Sequence, residues 1–115
     1  MIPRRLRLPR KRIEYLFRKG SKTASEFLTI RYSPAKEGYP GNYCVIISSA
    51  TEKSAVKRNR LRRQIYEILH THEKSANRKD NMRFEMALIC KKRLCGLDYS
   101  HIKDKINDLL NKLPR

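Results

Sequence analysis

The chain has 115 residues, with 28 Lys or Arg against 11 Asp or Glu, so its formal net charge is +17. One domain over residues 1–115 with one small core fits this length, and the excess of cations favours a polyanionic partner, either nucleic acid or an anionic membrane surface. Because no apolar run approaches the ~20 residues of a membrane span and the three cysteines share no disulfide or metal-binding spacing, we expect a cytoplasmic protein that binds nucleic acid.

A basic arm and a short helix are predicted at the N-terminus. This segment is too highly charged to contain the apolar core of a signal peptide. Pro9 suits the first position of a helix and Gly20 its C-terminal cap, and apolar residues recur at helical spacing between them. We therefore predict an arm over residues 1–8 and a helix over residues 9–19.

Two strands are predicted to follow this helix. Residues 27–33 alternate between two faces, one with Leu28, Ile30 and Tyr32 and the other with Phe27, Thr29 and Arg31. Two prolines and two glycines indicate a loop over residues 34–42. Residues 43–49 form a more continuously apolar run, which predicts a more buried strand.

The second half of the chain predicts a helix, a strand and a final helix. Ser54 can cap a helix over residues 55–70, whose buried stripe is Leu61, Ile65, Ile68 and Leu69. Polar residues 71–82 separate it from a strand over residues 83–90. The last helix starts at Asp98 or Ser100 and turns five apolar residues inward: Ile102, Ile106, Leu109, Leu110 and Leu113.

This order of elements predicts an α/β (α+β) sandwich in which a small central sheet supports helices. The unit formed by the second strand, the long helix and the third strand could pair residues 43–49 and 83–90 in parallel.

The most informative segment is the start of the long helix, where five cations fall within residues 57–63. With Leu61 at the centre of the buried stripe, Arg58 and Arg62 lie along one flank and Arg60 along the other. Asn59 and Arg63 then point outward. Like charges at this spacing cost stability unless something neutralises them, and arginine forks bind phosphates bidentately. The segment therefore predicts an RNA-binding or DNA-binding face.

The string Ala55–Arg63, AVKRNRLRR, resembles the signature helix of the bacterial ribonuclease P protein component, in which Arg-Asn-Arg precedes an aliphatic and two basic residues. The remaining segments follow that family's order along nearly the whole chain. The resemblance implies a ribosomal protein S5 domain 2-like fold with a left-handed β-α-β crossover. Five positions depart from the usual family pattern: Ala50, Thr51, Lys53 and Tyr66, together with Ile13, where the family often has an aromatic residue.

The resemblance also implies a function. The family's protein is the accessory subunit of a ribonucleoprotein endonuclease that removes the 5′ leader from precursor tRNA, with catalysis carried by the RNA subunit and its Mg²⁺ ions. By matching position, the residues implied to contact the RNA subunit are Lys57, Arg58, Asn59, Arg60, Arg62 and Arg63. Those implied to line a cleft for the leader, between the first helix and the sheet, are Ile13, Phe17, Ile30 and Tyr66.

Three alternatives stay open at this point. The chain could be a general RNA-binding or ribosome-associated protein with no role in tRNA processing. It could bind a membrane surface through its first helix, although that helix has little apolar area to insert. Phe17 could be a core residue instead of a leader contact. We expect no catalytic side chain, no metal ligand and no small-molecule substrate, because no acid–base or ligand constellation stands out.

Overall fold

A mixed four-stranded sheet lies at the centre of the fold. The computed structural model describes residues 10–34, 43–75 and 84–113. In chain order its elements are α1 (Arg10–Lys19), β1 (Ser21–Ala24), β2 (Leu28–Pro34), β3 (Tyr43–Ile46), α2 (Ala55–Ser75), β4 (Phe84–Cys90), α3 (Lys92–Cys95) and α4 (Tyr99–Leu110).

The strands lie in the order β1-β2-β4-β3. β2 pairs antiparallel with both β1 and β4, whereas β3 pairs parallel with β4. Leu88 therefore lies between Ile30 of β2 and Val45 of β3 at the middle of the sheet. The predicted parallel pairing across the long helix is confirmed; the left hand of that crossover stays a prediction of the resemblance.

Alternate residues of β4 face two separate apolar clusters. Met86, Leu88 and Cys90 belong to the main core, which α2 and α4 cover. Ala87 points to the other face, where it packs with Leu16 of α1. The predicted inward stripes of the two long helices are confirmed, since all nine of their residues are buried: Leu61, Ile65, Ile68, Leu69, Ile102, Ile106, Leu109, Leu110 and Leu113.

α1 is held on its face of the sheet by one apolar and one ionic contact. The Leu16 side chain is fully buried against Cys44 and Ala87. The Arg12 Nε donates to both carboxylate oxygens of Glu85, at 2.9 and 3.0 Å, and the Arg12 Nη2 also pairs with this carboxylate. Because Glu85 is only 9% exposed on a central strand, this partner offsets the cost of burying its charge.

Gly20 ends α1 as predicted, and the reason is a close approach. Its N–H donates to the Leu16 carbonyl at 3.0 Å. A Cβ at this position would lie 2.6 Å from that same oxygen, which is closer than real Cβ atoms come. Only glycine therefore allows the chain to leave the helix and enter β1 so tightly.

Several element predictions are wrong in extent. The strand β1 and the short helix α3 were not predicted, and α2 runs to Ser75 instead of residue 70. β3 ends at Ile46 instead of residue 49, because the Ser48 carbonyl accepts hydrogen bonds from the N–H groups of Thr51 and Glu52 in a turn. Pro34 belongs to β2 instead of the following loop.

Other predictions fall on residues outside the described ones. They are the arm over residues 1–8, the helix start at Pro9, the loop over residues 35–42 and most of the polar segment before β4. The start of the last helix is settled at Tyr99, with Asp98 as its cap: the Asp98 carboxylate accepts a hydrogen bond from the His101 N–H at 3.0 Å.

The burial of Leu16 leads to a prediction about stability. Leu16→Ala should lower the free energy of unfolding by about 2–5 kcal/mol, because it removes buried methyl groups and leaves a cavity between α1 and the sheet. Urea denaturation measures the change. Val56→Ala is the matched control, since Val56 is 69% exposed on α2, and it should change stability by less than about 0.5 kcal/mol. Equal effects of the two substitutions would contradict the packing of α1.

Candidate nucleic-acid interface

α2 begins from a hydrogen-bonded loop. The Ser48 and Thr51 hydroxyls lie 2.9 Å apart, and a Glu52 carboxylate oxygen accepts from the Ser54 N–H at 3.1 Å. The Ser54 hydroxyl in turn accepts from the Lys57 N–H at 3.3 Å, and its carbonyl accepts from the Arg58 N–H. Ser54 is therefore the cap of α2, as predicted, and the basic first turns of the helix start from a fixed position.

The basic residues of α2 surround Leu61 as predicted. Leu61 is buried in the main core. Arg58 and Arg62 are half-buried along the flanks of the helix, while four residues of the segment are exposed: Lys57, Asn59, Arg60 and Arg63. The six residues implied to contact the RNA subunit thus lie together on the surface of one helix.

Two of the arginines also make contacts within the protein. The Arg58 Nη1 donates to the carbonyls of Glu52 and Lys53, at 2.8 and 3.1 Å. The Arg62 Nη1 donates to the Asn59 Oδ1 at 2.9 Å. Arg58 therefore holds the loop before α2 in place, and Arg62 orients the amide of Asn59.

The charges on α2 are not balanced by neighbouring carboxylates. Among the described side chains, which are those of residues 10–34, 43–71 and 84–113, the ion pairs are Arg12–Glu85, Arg93–Glu26 and His101–Asp98. None of these pairs involves α2. The five cations of residues 57–63 thus repel one another and would be stabilised by an external anion.

A second candidate surface lies on the α1 side of the sheet. Phe17 is 41% exposed, so its alternative assignment to the core is wrong. The Arg31 guanidinium lies 5.4 Å from the centre of the Phe17 ring and donates to the Phe17 carbonyl at 3.3 Å. Ile13 is half-buried against the Leu16 cluster. These two leader-cleft predictions therefore share one surface.

The other two predicted leader contacts, Ile30 and Tyr66, do not lie on that surface. Ile30 is fully buried in the main core, on the opposite face of the sheet. Tyr66 packs against the same core from α2, and its hydroxyl accepts from the Val45 N–H at 3.3 Å. Ile30 pairs with Leu88, the neighbour of Ala87 on β4. Because neighbouring residues of a strand point to opposite faces, α1, which covers Ala87, cannot also cover Ile30.

Sequence reasoning missed the residues that share a face with Ala87. By strand register and alternation, the partly exposed residues of β2, β3 and β4 on this face are Thr29, Arg31, Ile46 and Ile89. With Ile13 and Phe17 they form what we call the α1-side surface. The alternation along residues 27–33 predicts that Thr29 and Arg31 share a face. The sequence does not show which face of the sheet α1 covers.

No protein site for Mg²⁺ is apparent in the described part of the chain. There, no three His, Cys, Asp or Glu residues are grouped so that they could hold a metal ion. The resemblance implies that the RNA subunit holds most of these ions. Nor does any helix among these residues have the length and apolar character needed to cross a membrane.

The contacts of Arg58 lead to a prediction that separates it from its neighbours. Arg58→Ala should lower the free energy of unfolding by about 1–3 kcal/mol, because it removes a charged donor from two carbonyls of the loop. Arg63→Ala removes an equal charge from an exposed position and should change stability by less than about 0.5 kcal/mol. Thermal and urea unfolding measure both. If the Arg58 variant is as stable as the parent, the two hydrogen bonds from Arg58 to the loop do not contribute to stability.

Comparison with known proteins supports a family assignment. The sequence model of the family described as Ribonuclease P matches residues 2–114. The chain is 34% identical over 113 residues to the ribonuclease P protein component of Synechococcus sp. (strain JA-2-3B'a(2-13)), and the match covers 96% of this chain and 81% of that protein.

Solved structures share the fold at lower identity. The RNase P protein from Thermotoga maritima superimposes with a TM-score of 0.80 at 18% identity, covering 95% of this chain and 98% of that one. The Staphylococcus aureus RNase P protein also gives a TM-score of 0.80, at 19% identity, covering 92% of this chain and 93% of that one. The mixed sheet with helices on both faces is thus the fold of these proteins.

Proposed function

The chain belongs to the ribonuclease P protein family, whose members act in tRNA processing, and from this premise we propose that it works in the cytoplasm as the protein subunit of a bacterial-type ribonuclease P. It binds the RNA subunit and the 5′ leader of precursor tRNA, and the RNA carries out the cleavage. The observation that carries this proposal is the helix α2, where Arg58-Asn59-Arg60 lies among cations that no ion pair within the described ranges neutralises.

The first turns of α2 suit a folded RNA. Arg60 and Arg63 are exposed and can each present a planar fork to a phosphate. Asn59, oriented by Arg62, offers an amide that can read a base edge or a ribose hydroxyl. Arg58 contributes by holding the loop from which the helix starts.

The α1-side surface suits a single strand. The exposed Phe17 ring offers a platform for a base, and the Arg31 guanidinium beside it supplies a cation for the adjoining phosphate. Partly exposed aliphatic residues, such as Ile46 and Ile89, extend the platform along the sheet. This combination of stacking and charge is typical of proteins that bind single-stranded RNA with little sequence preference.

We assign the Mg²⁺ ions mainly to the RNA, as the resemblance implies. When bound there, Mg²⁺ supplies the charge stabilisation needed at the scissile phosphate. The part of the protein in this proposal is to neutralise phosphates and to position the leader.

Reconstitution tests the proposal. Cleavage of precursor tRNA by a matching RNA subunit should be faster at low Mg²⁺ when this protein is added, and mature tRNA should compete less well than precursor for the holoenzyme. A protein without effect on cleavage would contradict the proposal. Equal competition by the two tRNAs would favour the alternative of a general RNA-binding protein.

The exposed cations lead to a prediction for binding to the RNA subunit. Arg60→Ala and Arg63→Ala should each flatten the slope of log affinity against log salt by about 0.7–0.9, because each removes one phosphate contact. Filter binding at a series of KCl concentrations measures the slope. Lys112→Ala, an exposed cation near the end of α4, serves as the control and should leave the slope unchanged. If the slopes of all three variants equal that of the parent, Arg60 and Arg63 are solvated surface residues that do not contact phosphate.

The α1-side surface leads to a prediction for the leader. Phe17→Ala should weaken binding of precursor tRNA to the holoenzyme by about 1–3 kcal/mol, the value of one stacked base, and leave binding of mature tRNA unchanged. Tyr15→Ala is the matched control, since Tyr15 is the other exposed aromatic residue of α1 and lies on the opposite flank of the helix. Equal losses for the two variants would argue against a leader path along Phe17.

A further inference from the structure

A cavity of about 780 Å³ opens beside the first turns of α2, away from the α1-side surface. One wall is the loop Ala50–Lys53 together with α2, and the other is the segment that joins α3 to α4. Its volume lies within the range of about 300–1,000 Å³ typical of small-molecule sites. Of the residues assigned above to the two candidate RNA surfaces, only Lys57 and Arg60 line this cavity.

The rim of the cavity is cationic. Four side chains with positive charge line it: Lys53, Lys57, Arg60 and Lys92. Within the described ranges none of the four forms an ion pair. Two acids also line the cavity, but both already accept hydrogen bonds from the protein: Glu52 from the Ser54 N–H and Asp98 from the His101 N–H. Since the four cations outnumber the two acids, the cavity lining has a net positive charge that favours an anionic ligand.

Apolar side chains form part of the cavity lining, among the charged and polar ones. Leu61 and Ile102 belong to its lining and are buried in the main core. Leu97 is half-buried there, and Tyr99 contributes an aromatic side chain that is 37% exposed. A mixed lining in which Leu97 and Tyr99 lie near several cations matches a ligand with one flat face and one phosphate.

We propose that this cavity receives one unpaired nucleotide of the RNA subunit, with its base beside Tyr99 and Leu97 and its phosphate at the cationic rim. The assignment to that RNA rests on the proposed function. Lys57 and Arg60 line the cavity and also belong to the basic surface of α2, so an RNA docked on α2 lies at the mouth of the cavity. A free mononucleotide shares the same chemistry and is the other source to be tested.

Cys95 provides a reporter within the cavity. It lines the cavity and is partly exposed, whereas Cys44 and Cys90 are buried. Burial raises the pKa of the Cys44 thiol to about 11 and that of Cys90 to about 12. Burial also raises the pKa of Cys95, so alkylation is best followed at mildly alkaline pH, where the two core thiols report any unfolding.

The experiment follows alkylation of Cys95 in the full chain by iodoacetamide, read by mass spectrometry, while RNA binding is measured in parallel. A saturating RNA subunit should slow alkylation by at least about tenfold, and adenosine 5′-monophosphate at millimolar concentration should also slow it. Lys92→Glu should abolish both effects. Lys112→Glu makes the same change in charge on an exposed residue outside the cavity and should preserve them.

A further variant tests whether the base of the mononucleotide lies against Tyr99 inside the cavity. Tyr99→Ala removes the stacking surface, so it should weaken protection by the mononucleotide about tenfold. RNA that binds with the expected salt dependence yet leaves the rate at Cys95 unchanged would overturn the inference and leave the proposed function intact. Protection by mononucleotide alone would overturn the assignment to the RNA subunit. An RNA subunit that does not bind at all would overturn the proposed function and this assignment together.

Discussion

The fold depends on one constraint, which is that β4 must bury both of its faces. This strand pairs with β2 on one side and β3 on the other, and its alternate side chains serve two different cores. Leu88 is fully buried toward α2 and α4, whereas Ala87 is fully buried toward α1. The position of each helix follows from this alternation, and so does the separation of the two candidate RNA surfaces.

Glu85 makes the constraint sharper, because it puts a carboxylate on the central strand next to Ala87. Burying that charge without a partner would cost several kcal/mol, so Arg12 must lie above it, and α1 is fixed in both position and direction. Other acids in the described part of the chain act within the protein in the same way: Glu26 pairs with Arg93, Glu52 holds the Ser54 N–H and Asp98 caps α4. Among the cations at the start of α2, Arg58 and Arg62 make hydrogen bonds within the protein, whereas Lys57, Arg60 and Arg63 are exposed and available to an external polyanion.

Much of this arrangement can be predicted from the sequence. The stripes of α2 and α4 are long and periodic, and the cap at Ser54 and the glycine at Gly20 mark helix ends for local reasons. The strand β1 could not be predicted in this way, because an edge strand needs pairing on one side only and its residues, SKTA, carry no apolar alternation. The short helix α3 offers too few residues for any period to be read.

Part of the candidate site can likewise be predicted from the sequence, and part cannot. The six basic and polar residues on α2 follow from the period of one helix, so their common surface is predictable from Leu61 alone. The α1-side surface is formed by α1 and the sheet, and the residues that belong to it depend on which face of the sheet α1 covers. That choice rests on contacts between residues far apart in sequence, such as Arg12 with Glu85, and it decides that Arg31 belongs to the surface and Ile30 does not. The cavity beside Tyr99 depends on a similar long-range meeting of α2 with the α3–α4 segment.

On the proposed function, the placement of the two candidate RNA surfaces on opposite faces of one sheet has a consequence for affinity. α2 and the α1-side surface belong to a body whose longest dimension is 38 Å, so a leader and an RNA subunit bound at the two surfaces are held by a rigid spacer instead of a flexible tether. Once one RNA is bound, capture of the other becomes intramolecular, at an effective concentration that a short spacer brings to about the millimolar range. On the proposed function, a weak hold on the leader is therefore sufficient, and a weak hold lets the leader leave once it has been cut.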